Sequence, residues 1–163
     1  MNLQNLFIMQ EKLDKNIIET HNLHNKCLFS EKLLALQVEL AELANETRCF
    51  KFWSNKGPSS KDVILEEYVD CLHFILTIGL DKGFRYSNFN ISKEDTSLDI
   101  TNQFLSIYID INDLMICTSK DQYETLLEDF LCLGVSLGFT EKDIEEGYCK
   151  KNTINHKRQA TGY

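Results

Sequence analysis

Four carboxylates, written as Glu39-x-x-Glu42 and Glu67-x-x-Asp70, constrain this chain more than any other feature. Each pair lies in a segment with helical periodicity, and three-residue spacing puts both members on one helix face. Two such helices laid side by side bring four negative side chains to one place. That arrangement is costly unless something positive sits there, and a hard divalent cation such as Mg²⁺ is the usual solution.

The plain alternative is a solvated helix face, and position around the helix separates the two readings. At about 100° per residue, Glu67 falls between Phe74 and Ile78, with Val63 and Cys71 nearby, and Asp70 flanks the same apolar side. Glu66 points with His73 toward a more polar sector. In the preceding segment Leu33, Leu36, Leu40 and Leu43 form the apolar stripe, Glu39 borders it and Glu42 sits one step further out. An unpaired charge facing a core is expensive, so the arrangement favours a metal site. In an antiparallel hairpin the two pairs come level.

The rest of the chain reads as helix as well. It has one proline and seven glycines in 163 residues, with 43% hydrophobic residues, which suits a helix-rich globular fold. Apolar spacing predicts a first helix near 2–22. Ser30 is the expected start of a second helix and Ser59-x-x-Asp62 of a third running to Gly83. Thr96-x-x-Asp99, Ser119-x-x-Gln122 and Thr140-x-x-Asp143 open a fourth, fifth and sixth, and 83–93 reads as loop. No sustained strand alternation or internal repeat stands out. The expectation is an all-α helical bundle, with antiparallel helix pairs forming a carboxylate-lined metal site, in one domain over 1–163.

A net charge of −8 argues against a nucleic-acid surface. No apolar run is long enough to span a membrane, and no leader-like block opens the chain, so the expectation is a cytoplasmic protein. None of the six cysteines has C-x-x-C spacing, and Cys71 and Cys132 lie in apolar stretches, which points to free thiols. His21 and His73 show no partner pattern and read as structural or exposed. Near the C-terminus Lys150, Lys151, Lys157 and Arg158 gather within nine positions. Such a cluster suits a phosphate tail, Arg158 offering planar bidentate bonds; a basic helix end is the plainer alternative. The segment carries little apolar surface, so it is expected to be mobile until nucleotide binds. Trp53, the single tryptophan, can stack a base or anchor a core.

Twenty-four residues separate Glu42 from Glu67, and E-x-x-E, a gap of this size, then E-x-x-D resembles the signature of the all-α NTP pyrophosphatases, the MazG-like superfamily. The connector Arg48-Cys49-Phe50-Lys51-Phe52-Trp53-Ser54-Asn55-Lys56 resembles the aromatic and basic loop of the dimeric dUTPases within it. The closing Lys151-x-x-x-Asn155-x-x-Arg158 followed by Gly162-Tyr163 resembles their last motif, and Met9-Gln10 with Leu13-Asp14 resembles their first helix, where the family often has Asn in place of Asp14.

The resemblance implies a Mg²⁺-dependent hydrolase that converts dUTP to dUMP and diphosphate, with dUDP as a further candidate substrate. Glu39, Glu42, Glu67 and Asp70 match the metal positions, with Glu39 also the general base. Lys151, Asn155, Arg158 and Tyr163 match the phosphate and nucleotide positions; Gln10, Trp53 and Lys56 are the remaining substrate-binding candidates. A homodimer is implied too, and Phe104, Ile107, Tyr108, Ile111 and Leu114 look like a surplus apolar stripe for its interface. Two alternatives stand beside this one. The chain is a sister enzyme acting on dCTP or several NTPs, or a non-catalytic helical dimerisation module.

Overall fold

The computed structural model describes residues 1–85 and 99–162, and all regular structure in them is helical. Six helices follow in order: α1 (Leu3–Thr20), α2 (Phe29–Thr47), α3 (Lys61–Lys82), α4 (Ile100–Ile116), α5 (Lys120–Ser136) and α6 (Glu141–Ala160). The all-α expectation is met. α3 is the axis, touching α1, α2, α5 and α6, while α4 packs on α5 and α2. α2 and α3 run antiparallel. Ser59 N–H donates to the Glu46 carbonyl at one end (3.0 Å), and Lys32 pairs with Asp81 at the other (2.7 Å).

Helix starts follow capping chemistry, with corrections. Asn2, Asp99 and Ser119 accept backbone N–H bonds from Asn5, Asn102 and Gln122, and Thr140 with Asp143 forms a full capping box. Ser30, however, lies inside the first turn of α2, which starts after Leu28 without a side-chain cap. Ser59 does not cap α3. Ser60 holds that position without a side-chain bond, and the Ser59 hydroxyl goes to the Glu46 carboxylate instead. Thr96 and most of the expected 83–93 loop lie outside the described residues. The C-terminal segment was expected to be mobile, yet Lys150 to Ala160 is the second half of α6, packed on α1 and α3, with Lys151 and Asn152 buried. Its polar side chains bond to neighbouring helices, so little apolar surface is needed to hold it.

One pattern escaped the sequence reading, which found no internal repeat. α3 carries Tyr68-x₁₀-Gly79-x₃-Gly83-Phe84, and α5 carries Tyr123-x₁₀-Gly134-x₃-Gly138-Phe139. The two copies face each other. The buried Tyr68 hydroxyl donates to the Phe130 carbonyl of α5 (3.2 Å), and the buried Tyr123 hydroxyl donates to the Ile75 carbonyl of α3 (3.1 Å). Each accepting carbonyl lies one turn before a glycine, Gly134 or Gly79, where a Cβ would collide with the incoming phenol. Each helix then ends on a left-handed glycine, Gly83 or Gly138, and the next residue packs its ring on the partner tyrosine.

The stripe proposed for a dimer interface is largely core. Phe104, Ile107, Ile111 and Leu114 are buried within the chain, and Tyr108 donates its hydroxyl to the Gln37 carbonyl of α2. The four buried positions follow the 3–4 spacing that turns one face of α4 onto α2 and α5.

Helix propensity alone makes Gly79→Ala stabilising by roughly 1 kcal/mol. The clash with Tyr123 reverses the sign, and overpacking of this kind costs about 1–3 kcal/mol. Urea denaturation of Gly79→Ala is expected to give a lower midpoint than the parent chain.

Candidate active site

Antiparallel packing puts the two carboxylate pairs at one level, because Glu39 lies about two turns before α2 ends and Glu67 about two turns after α3 begins. One carboxylate oxygen each from Glu39, Glu67 and Asp70 lies within 4.8 Å of the others. All three residues are half-buried. Glu42 is exposed and stands outside this group, although its charge is felt by both Glu39 and Glu67.

The crowding shows in the proton affinities. Burial, followed by repulsion from Asp70, Glu42 and Glu67, pushes the Glu39 carboxyl up to about 7. Glu67 is raised by burial and then by Asp70 and Glu42. Asp70 is raised as well, since burial removes more than the neighbouring Lys151 ammonium restores. Three crowded, oxygen-only donors suit a hard divalent cation, and no sulfur or imidazole belongs to the group.

Lys151, reaching over from α6, places its Nζ 2.6 Å from Asp70 Oδ2 and 2.9 Å from Glu66 Oε1. Asn155 and Arg158 follow on the same helix and line a cleft of about 440 Å³ whose wall includes Glu39 and Asp70. Its far side is built by Gln10, Asp14, Lys32, His73, Phe74 and Thr77.

That far side is a buried polar network. Gln10 Oε1 accepts from the Tyr148 hydroxyl (2.6 Å) and meets His73 Nδ1 at 2.7 Å, while its Nε2 donates to Asp14 Oδ1 (2.7 Å). Thr77 donates to the other Asp14 oxygen (2.6 Å). Because the amide oxygen can only accept, Nδ1 must carry the His73 proton, which leaves Nε2 as a bare acceptor. It has no hydrogen-bond partner among the described residues. The His73 ring stacks on Tyr148 at 4.1 Å, and burial, helped by the charge of Lys151, lowers it to about 3. His73 is therefore neutral and buried; it lies on the polar side of α3 expected for it, and of the structural and exposed readings the structural one holds.

Of the residues named from the sequence, Glu39, Asp70, Asn155, Arg158 and Gln10 line one cleft, and Glu67 and Lys151 stand beside it, grouped with or paired to Asp70. Gln10 is an interior tie with both its polar atoms engaged. Trp53 and Lys56 do not line the cleft. They sit in the exposed α2–α3 connector, Trp53 66% exposed beside Phe52 at 93%. Tyr163 lies outside the described residues. The sequence reading missed His73, Thr77 and Tyr148. Glu66, Asp70, His73 and Thr77, spaced by four, three and four, mark one continuous polar face of α3 that was readable in the chain.

Convergent carboxylates on two antiparallel helices stand beside a cleft lined by Asn155 and Arg158, an arrangement suited to a metal-dependent hydrolase of phosphorylated substrates. A sequence-family model described as dUTPase matches residues 2–163, and the chain belongs to that family. It is accordingly a dUTP diphosphatase, acting on a nucleotide through a metal-dependent family chemistry. No curated protein matches the chain. All six cysteines are free, and among the described residues no helix is long and apolar enough to cross a membrane.

The raised carboxyls set a pH dependence. In the cation-free chain Glu39 holds its proton from its ordinary 4.5 up to about 7, so the unfolded state binds fewer protons in that window and stability falls as pH rises. His73, lowered from 6.5 to about 3, acts oppositely, but its contribution is complete above pH 6.5. Asp110, pushed up to about 7 by burial and by Asp129, adds to the decline independently of any cation. The difference between Mg²⁺ and EDTA isolates the cluster. Thermal melts are expected to show a larger Mg²⁺-induced rise in Tm at pH 8 than at pH 5.5; an equal rise would disconnect the cation from these carboxylates.

Proposed function

We propose that this enzyme hydrolyses dUTP to dUMP and diphosphate with Mg²⁺ held by Glu39, Glu67 and Asp70, and with Glu42 completing the set from one turn away. The observation that carries the reading is the convergence of three half-buried carboxylates, two of which, Glu39 and Asp70, lie on the wall of the same cleft as Asn155 and Arg158. When bound, the cation supplies neutralisation of the triphosphate and polarises the attacking water. Lys151, Asn155 and Arg158 orient the phosphates, the guanidinium through bidentate bonds. Glu39 takes the water's proton; a carboxylate held at the inner edge of a like-charged group has the raised basicity this task needs. The uracil faces the neutral end of the cleft, where Phe74 gives an apolar wall and Gln10 and His73 give fixed polar groups.

Turnover of dUTP, dUDP and dCTP with Mg²⁺ tests the substrate range. Glu39→Gln preserves size and removes the base, and kcat is expected to fall by at least about 100-fold, the scale of losing general-base catalysis. Circular dichroism should remain helical. Near-parent turnover would assign the proton to another group.

The dimer proposal rests on a different surface from the one read in the sequence. Leu34 (62%) and Val38 (48%) of α2 lie exposed, as do Leu105 (56%), Ile109 (59%) and Ile116 (79%) of α4. Tyr108 ties the two helices together, so these residues adjoin as one apolar face. A second copy covering that face is the proposed assembly, and it brings the exposed Trp53 and Lys56 connector into play as nucleotide contacts made across the pair. Light scattering is expected to give about twice the 18.9 kDa chain mass, and Leu105→Glu with Ile109→Glu to give a monomer. A parent chain that scatters as a monomer would remove the proposal. One domain over 1–163 and a cytoplasmic setting, the latter in keeping with six free thiols, complete the reading.

A further inference from the structure

Lys151 has an unusual position for a side chain assigned to phosphates. Its ammonium is not presented to the cleft but lies against Asp70, 2.6 Å from Oδ2, with the side chain only 9% exposed. Asp70 is a member of the converging carboxylate group. The second partner, Glu66 at 2.9 Å, is outside that group and 60% exposed. One tie is thus inside the candidate metal shell and one outside it. Lys151 also shares a face of α6 with Asn155 and Arg158, four and seven residues on, both at the cleft.

An ammonium on a flexible four-carbon stem is a mobile point charge, and it can exchange one anion for another without moving the backbone. Among the carboxylates it provides the positive charge that like-charge crowding demands. A divalent cation entering the same group competes with it for Asp70. Losing Asp70 leaves the ammonium half-desolvated beside Glu66 alone, unless a phosphate oxygen is there to receive it.

We propose that Lys151 is a built-in counter-ion that exchanges Asp70 for a substrate phosphate, so that divalent-cation binding and nucleotide binding each strengthen the other. This rests on the metal reading above. Without nucleotide, Lys151 weakens cation binding by holding one ligand. With nucleotide, its release from Asp70 and its capture by phosphate occur together, and the coupling is reciprocal because it is a property of the equilibrium.

Two measurements test this, neither depending on turnover. The first is Mn²⁺ titration followed by electron paramagnetic resonance, with and without a non-hydrolysable dUTP analogue. The parent chain is expected to bind Mn²⁺ more weakly without the analogue, by about fivefold or more, the lower end of ordinary coupling. Lys151→Met, which keeps the stem and removes the charge, should bind Mn²⁺ more tightly than the parent in the absence of analogue and lose most of the enhancement. Equal or weaker binding by Lys151→Met, or an undiminished enhancement, overturns the exchange while leaving the metal site standing. No Mn²⁺ binding by the parent under either condition overturns the metal reading and the exchange with it. The second uses only the parent chain. Acetylation of Lys151, read by mass spectrometry, should be slow in EDTA, at least about fivefold faster with Mg²⁺ alone, and slow again with Mg²⁺ and analogue, a change at the lower end of such coupling. A Lys151 labelling rate that ignores Mg²⁺ overturns the exchange.

Discussion

The paired contact between α3 and α5 fixes the helix on which everything else is hung. Two tyrosine hydroxyls would each be orphaned in the core, and each finds a carbonyl of the other helix one turn ahead of a glycine. A buried hydroxyl left without a partner costs about 1–3 kcal/mol, so sliding α3 along α5 in either direction breaks both contacts at once. The terminal glycines and the phenylalanines that follow them close the two ends against the same tyrosines. Register, and not only contact area, is therefore specified.

That rigidity matters because the opposite side of α3 is electrostatically unfavourable. Glu66, Asp70, His73 and Thr77 run down it, with Glu67 beside them and Glu39 facing from α2. Like charges at this separation push their helices apart. The apolar side of the hairpin, Leu36, Leu40 and Leu43 with Leu72, Ile75 and Leu76, is completely buried and resists that push. Lys151 relieves part of the charge from a third helix, which is one reason α6 stays folded along a surface with few apolar residues of its own.

Much of this was legible in the chain. Periodicity located the helices, and capping chemistry found the starts of α5 and α6, because Ser119 and Thr140 satisfy local N–H groups and need no tertiary partner. It failed at α2 and α3, where Ser30 lies within the first turn and Ser59 is diverted to Glu46 by the connector. The carboxylate pairs were visible as helix-face spacing, since that depends only on the turn of a helix. The His73 tautomer, the interior role of Gln10 and the second tie of Lys151 were not visible. Each depends on a partner at least 63 positions away, which no local pattern encodes.

The Gln10 network gives the cleft a polarity that spacing could not reveal. His73 is held neutral by burial, Lys32 is committed to Asp81, and the Asp14 carboxyl is raised by burial while bonded to Thr77 and Gln10. Positive charge is thereby concentrated near the carboxylates, where Lys151 and Arg158 stand. Under the proposed reading a nucleotide triphosphate meets a matching gradient, its uncharged base toward α1 and its anionic tail toward α6. A cationic His73 would place a competing anion site at the base end and let the phosphates bind backwards. Burial keeps that imidazole neutral, its ring stacked on Tyr148 and its Nδ1 tied to Gln10, and under the proposed reading this neutrality is what gives the substrate one direction.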